Sequence, residues 1–181
     1  MPNVQIGDKW LLDRHIVFCG DTSSNKFINF LSSDAALAIV IPSSNWNHNY
    51  STNKARIVAV VLEEDQIYNF CIHFCSHQQM PFRFQLLIGK LYVAVFSHQL
   101  ISRPRKPTEI EGIEGIVAYL VNQYTNWGNS VLAPFLGHGE ILITCEKIGR
   151  ICVAGDRNPQ IVSRAIVRWQ NWTQKQAQKT V

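Results

Sequence analysis

The stretch Val131-Leu132-Ala133-Pro134-Phe135-Leu136-Gly137-His138-Gly139 reads as a short strand, a glycine-rich turn and the start of a helix. Glycines at such a turn let the backbone approach a ligand closely, and the free N–H groups of the helix start face it. A second apolar strand, Ile151-Cys152-Val153-Ala154, follows and leads to Asp156. A carboxylate at the tip of the neighbouring strand is the usual reader of ribose hydroxyls in doubly wound folds. The turn and the strand-end acid together describe a site for a nucleoside cofactor at the carboxyl ends of strands.

Three other constellations carry chemistry-bearing side chains. In Cys71-Ile72-His73-Phe74-Cys75-Ser76-His77 a strand would put both cysteines and both histidines on one face. A helix would part Cys71 and Cys75 from His73 and His77. The apolar spacing around them is helical and the usual zinc spacings are absent, so buried cysteines are expected and no metal. Trp169 and Trp172, three apart on the last helix, are expected to pack that helix on the sheet rather than stack on nucleic acid. Arg103, Arg105 and Lys106 sit in a proline-bearing loop, where phosphate contact and a solvated surface are both open readings.

The elements that must position these groups follow from the apolar pattern. Ala36 to Ile41 and Arg56 to Leu62 are continuous apolar runs of strand length, as in a sheet buried on both faces. Phe27, Ile28, Phe30 and Leu31 predict a short helix, and Glu63-Glu64-Asp65 opens another. Phe82 to Ile88 and Leu91 to Phe96 read as two strands joined at Gly89-Lys90. Ile110, Ile113, Ile116, Val117, Leu120, Val121 and Tyr124 form one stripe of a helix. Asn158-Pro159 starts a long final helix, and Trp10 to Asp21 reads only as mixed and turn-rich. Strands alternating with helices imply an α/β domain with a mainly parallel sheet and helices on both faces, residues 1–181 forming a single unit.

Composition agrees with a globular chain. Of 181 residues, 46% are hydrophobic and 17% charged, which excludes extensive disorder. The formal charge of +4 suits a polyanionic partner without requiring one. No apolar run reaches the ~18 residues of a membrane span, and no secretory signal is visible. Five cysteines, an odd number set in apolar segments, fit reduced thiols and a cytoplasmic location.

Lys106-Pro107-Thr108-Glu109, Val131 to Gly139, Gly149-Arg150-Ile151-Cys152, Asp156, Pro159 and Arg168-Trp169 together resemble the C-terminal half of the DNA amino-methyltransferases that modify adenine N6 or cytosine N4. Gly7-Asp8-Lys9-Trp10-Leu11-Leu12-Asp13-Arg14-His15 with Cys19-Gly20-Asp21-Thr22 is similar to the opening of members found beside ParB-like domains. The order matches the class whose catalytic tetrapeptide precedes the cofactor glycine loop. The resemblance implies a Rossmann-like methyltransferase fold with S-adenosylmethionine as its cofactor. It implies that Asp156 holds the ribose hydroxyls, that Asp21 lies near the adenine, and that Phe135, Gly137 and Gly139 wrap the cofactor, with Lys106 near its methionine end.

The departures from that family bear on function. The family's glycine loop begins with an Asp that faces the ammonium group of the methionine moiety; here the position is Ala133. Losing one charge-assisted contact costs about 1.5–3 kcal/mol, roughly ten- to a hundredfold in affinity. The small residue expected between the glycines is His138. The catalytic tetrapeptide, normally a polar residue, two prolines and an aromatic, aligns with Ser43-Ser44-Asn45-Trp46. Trp46 can still stack on a base, but Ser44 and Asn45 lack the φ restriction of proline. The stretch from Trp46 to Lys106 leaves little room for a target-recognition region, which base-flipping chemistry needs. These changes predict a degenerate, catalytically impaired relative that serves as a binding or regulatory module for nucleic acid or a protein partner, and that has weakened or lost its S-adenosylmethionine. The alternative is an active S-adenosylmethionine-dependent DNA N4-cytosine/N6-adenine methyltransferase that takes its target recognition from a partner. In that case Ser43 accepts from the target amine and Trp46 stacks on the base. A third reading is an inhibitor or assembly factor that uses the fold only as a surface. No membrane partner is expected.

Overall fold

Ala35–Val40 is buried at every position, and its side chains divide between two hydrophobic clusters: Leu37 and Ile39 join one, Ala38 and Val40 the other. A strand can bury alternate residues in two cores only if both faces of its sheet are covered. The computed structural model describes residues 1–41, 54–66, 68, 70 and 80–180. Its strands are β1 (Lys9–Leu12), β2 (His15–Cys19), β3 (Ala35–Val40), β4 (Ala55–Leu62), β5 (Phe82–Ile88), β6 (Leu91–Ser97), β7 (Ser130–Ala133), β8 (Ile151–Asp156) and β9 (Gln178–Thr180). Its helices include α1 (Asn25–Ile28), α2 (Gly112–Tyr124), α3 (Glu140–Ile148) and α4 (Pro159–Thr173).

The nine strands of the described residues form one sheet in the order β5-β6-β4-β3-β7-β8-β2-β1-β9. The five central strands, β4-β3-β7-β8-β2, pair in parallel. Antiparallel strands extend both margins: the β5–β6 hairpin joins β4, and β1 joins β2 and carries β9. The α/β reading with a parallel core therefore holds. The segment from Trp10 to Asp21, expected only as turn-rich, is a hairpin whose turn places Asp13 at φ 57°. Asp is one of the residues that tolerate this left-handed conformation.

Apolar stripes explain which face each helix covers. Ile116, Val117 and Leu120 of α2, Ile141 and Leu142 of α3, and Val162, Ala165, Ile166 and Trp169 of α4 all belong to the larger cluster. On the opposite face Phe27 of α1 packs with Phe18, Leu132 and Val153, joined by Phe70 and Met80. α4 begins as its sequence directs: the Asn158 side chain accepts from the Gln160 N–H at 2.9 Å, and Pro159 occupies the first turn. Residues 64–66, 68 and 70 are helical, as the run from Glu63 predicts. Cys71, His73, Cys75 and His77 lie outside the described residues, so the reading of that segment rests on its sequence.

From β7 the chain moves through α3 to β8 on one side, whereas β3 leads to β4 on the other. The sheet therefore reverses its order between β3 and β7, and ligands of open α/β sheets bind at the carboxyl ends of the strands beside such a reversal.

Candidate cofactor site

The carboxyl tips of β7, β8 and β2 stand side by side. Ala133 pairs with Ala154, and Cys19 pairs with Asp156. Hydrogen bonds lock the loops beyond them together. The Leu136 N–H donates to Gly155 O at 3.0 Å, the Gly20 N–H donates to Asp156 O at 2.9 Å, and the buried Thr22 hydroxyl donates to Pro134 O at 2.8 Å. The glycine turn, the acid and the residues after β2 thus form one edge.

The turn itself depends on glycine. Gly137 has φ 55° and Gly139, which caps α3, has φ 86°. A Cβ at Gly139 would lie 3.3 Å from the Ala165 Cβ, so the third position of the turn is also where α4 packs closely. Arg168 of α4 braces this turn from outside: its Nη1 donates to His138 O at 3.0 Å and its Nη2 pairs with Glu114 of α2. His138 is exposed, and Phe135 is half-buried against the smaller core cluster.

Asp156 is half-buried at the tip of β8. Burial pushes its carboxyl pKa up, and hydrogen bonds from the backbone N–H groups of Asn158 and Arg157 offset part of that shift. The Asn158 bond is 2.9 Å long to Oδ1. Asp21 is more exposed and already engaged. Its Oδ1 accepts from the Ser23 hydroxyl at 2.6 Å and from the Ser23 N–H at 3.0 Å, and it meets Arg157 Nη2 at 2.8 Å. The Ser23 hydroxyl, then Arg157, hold its pKa down to about 2. Lys106 is exposed on the segment between β6 and α2. That segment starts at the amino edge of the parallel strands, where β6 ends beside Ile57, and climbs to α2, whose Glu114 shares Arg168 with the glycine turn. Ser43, Asn45 and Trp46 lie outside the described residues; the strand before them, β3, ends at Val40 beside β7.

Two groups at this edge were missed by sequence reasoning. Arg157 is one, and only its position beside the strand-tip acid could have drawn attention to it. Glu140 is the other. It opens α3, where an acid suits the helix dipole and so attracts no special notice. Its Oε2 would stand 3.2 Å from a Cβ on Gly137, so a carboxylate lies against the glycine turn.

A nucleoside cofactor with an amino-acid tail can be tested against these residues. The glycine turn and half-buried Asp156 suit the nucleoside half. The tip of β7 does not suit an ammonium group: Ala133 is fully buried and belongs to the apolar cluster under α2–α4. Glu140 sets a carboxylate against Gly137, four residues further along the turn.

Solved structures share this architecture. M1.HpyAVI superposes with a TM-score of 0.64 at 14% identity, over 85% of this chain and 98% of its own. TTHA0409 of Thermus thermophilus, complexed with S-adenosyl-L-methionine, gives 0.66 at 13% identity, over 87% of this chain and 93% of its own. The cytosine-N4-specific PvuII DNA methyltransferase gives 0.65 at 12% identity, over 91% and 90%. No family model and no curated protein matches the sequence. The sheet with its parallel core and two-sided covering is thus the Rossmann-like fold of S-adenosylmethionine-dependent methyltransferase structures.

Proposed function

We propose that this chain, residues 1–181 as one methyltransferase-like domain, descends from DNA amino-methyltransferases and works as a binding or regulatory module for nucleic acid or a protein partner, with methyl transfer impaired. One observation carries the reading: the tip of β7, where an anion would have to meet the ammonium end of the cofactor, is the fully buried methyl group of Ala133. The ligand the edge would take is S-adenosylmethionine, which M1.HpyAVI and TTHA0409 hold in their complexes. When bound, that molecule supplies a methyl group. Asp156 would accept from its ribose hydroxyls, Gly137, Gly139 and Phe135 would line it, Asp21 would border its base and Lys106 its far end. Ser43, Asn45 and Trp46 would be remnants of the acceptor-aiming segment. The test combines calorimetric titration with S-adenosylhomocysteine and a radiolabelled methyl-transfer assay on mixed DNA and RNA. Weak binding that Asp156→Ala abolishes, with turnover below about one per hour where enzymes reach roughly 1–1,000 per second, is expected. Turnover above that level refutes impairment.

Glu140 favours the second reading, an active DNA N4-cytosine/N6-adenine methyltransferase that relies on a partner for its target. A carboxylate against Gly137 can stand in for the missing one at position 133. Under this reading Glu140→Gln weakens S-adenosylhomocysteine binding about tenfold or more, as loss of a charge-assisted contact does. Under the first reading it changes affinity little.

A further inference from the structure

The edge opposite the glycine turn carries a feature unrelated to the cofactor site. The β1–β2 turn, the loop before β7 and the ends of α3 and α4 all lie there, because each precedes a parallel strand or follows a helix that runs back from its tip. Two indoles are exposed at this edge. Trp127 is 77% exposed and Trp172 is 49% exposed, whereas Trp169, three residues before it on the same helix, is 0% exposed. Trp127 is held in place: its ring lies so close to Gly149 that a Cβ there would come within 2.4 Å of its Cδ1. Each exposed indole has a cation over its ring. The Arg14 guanidinium is 6.0 Å from the Trp127 ring centroid, and Lys147 Nζ is 5.8 Å from that of Trp172.

The two pairs belong to one surface. Lys147 and Gly149 close α3 side by side, and Arg14 follows Asp13, which holds Lys175 just beyond Trp172 at 2.5 Å. The acids of the region are engaged: Asp13 with Lys175, and Glu146 inward with His15 and Trp169. Arg14 and Lys147 form no ion pair among the described residues. Exposed flat rings, each with a cation that forms no ion pair among the described residues, match the alternating bases and phosphates of a single strand. A duplex hides its base faces from such rings, and an apolar protein surface gives the two cations nothing to meet.

We propose that this edge is a second nucleic-acid contact, on which bases of a single strand stack on Trp127 and Trp172 while its phosphates meet Arg14 and Lys147. The contact is independent of the cofactor reading, since it shares no residue with the β7–β8–β2 tips. The test is fluorescence anisotropy of labelled oligothymidine with the full chain, at several salt concentrations. Trp127→Ala and Trp172→Ala each weaken binding about 5- to 100-fold, the range of one lost base–aromatic stack. The phenylalanine variants, which keep a ring, retain most of it and guard against a folding artefact. Arg14→Gln and Lys147→Gln each lower the salt slope by about 0.7. Asp156→Ala leaves binding unchanged, so failure here and failure of the cofactor reading are separable. Unaltered binding by folded Trp127→Ala and Trp172→Ala overturns the proposal, as does duplex DNA bound as tightly as the single strand. Loss of a stoichiometric protein partner by the tryptophan variants, with no oligothymidine binding by the wild type, also overturns it.

Discussion

Replacing Ala133 by Asp tests the central argument about the β7 tip. In the folded chain position 133 is fully buried within the cluster that α2, α3 and α4 cover. A carboxylate there without a partner costs several kcal/mol of desolvation. At roughly 2–4 °C per kcal/mol for a chain of this size, the variant melts about 5–15 °C below the parent when free of ligand. With a ligand ammonium beside it, the same carboxylate makes a charge-assisted contact of about 1.5–3 kcal/mol, so S-adenosylhomocysteine binds roughly ten- to a hundredfold more tightly. A ligand at a hundred times its Kd stabilises the native state by about 2.7 kcal/mol, so the melting shift on saturation is large and easily read. Ala133→Asn, with similar shape and no charge, shows neither the tighter binding nor the same shift. Calorimetry and thermal melts with and without S-adenosylhomocysteine provide the assay. If folded Ala133→Asp binds within about threefold of the parent, less than ~0.7 kcal/mol, position 133 does not face the ligand's ammonium group. Combining Ala133→Asp with Glu140→Gln sharpens the result. If Glu140 already serves the ammonium, the gain from the new carboxylate is larger once Glu140 is neutral, a departure from additivity expected only of side chains that share a partner.

Two further outcomes concern the buried polar groups. Glu146 Oε2 accepts from His15 Nε2 at 2.8 Å and from the Trp169 indole N–H at 2.9 Å, while His15 Nδ1 accepts from the Cys152 N–H at 2.9 Å, which fixes the neutral tautomer with its proton on Nε2. Glu146→Ala orphans two buried donors at about 1–3 kcal/mol each, so urea melts lose ~2–6 kcal/mol; Glu146→Gln, which keeps an acceptor, loses less, and a loss under ~1 kcal/mol in the alanine variant refutes the network. Burial holds the His15 pKa below its ordinary 6.5 while Glu146 opposes that shift, and hydrogen bonds from Trp169 and His15 outweigh burial to hold Glu146 below 4.5. For both groups the unfolded chain binds protons first, so stability falls as pH drops through 6.5 and again as it drops through the folded value of Glu146; the first decline is steeper in Glu146→Ala, which no longer supports protonated His15. Among the described cysteines, burial raises the Cys19 thiol to about 11, and the Cys145 sulfur together with burial raises Cys152 well above its ordinary range. Iodoacetamide at about pH 8 followed by peptide mapping therefore leaves both unmodified in the native protein, and alkylated Cys152 contradicts the packing.

What the sequence discloses is what neighbouring residues decide. The apolar runs of β3, β7 and β8, the Asn158-Pro159 start of α4 and the glycines before α3 are local signals, and each element forms where they place it. β9 is different: Gln178-Lys179-Thr180 has no apolar pattern and becomes a strand because β1 offers an open backbone edge. His15 and Glu146 stand 131 residues apart, and nothing in either neighbourhood announces their contact. Trp169 and Trp172 share a helix, and their spacing alone predicts that both pack on the sheet. One step of three residues turns the helix far enough to bury the first and leave the second half-exposed. Glu140 reads as an ordinary acid in a first helical turn until the backbone path of Gly137 brings the turn beneath its carboxylate.

The groups at this edge differ in what they cost the free protein. The glycine turn is built from features the fold needs in any case. Gly139 is held by close packing against Ala165, the Leu136 N–H ties the turn to β8, and Thr22 ties β2 to Pro134. Changing any of them disturbs the sheet tips whether or not a ligand binds. An anion at position 133 would be the opposite case. Buried at the end of β7, a carboxylate is a burden on the free protein and is useful only while an ammonium group faces it. Alanine at that position carries neither that cost nor a charge, and it packs within the apolar cluster under α2–α4. Asp156 carries less of that cost: partly exposed at a strand tip and hydrogen-bonded to the Asn158 N–H at the start of α4, it shapes the β8–α4 turn.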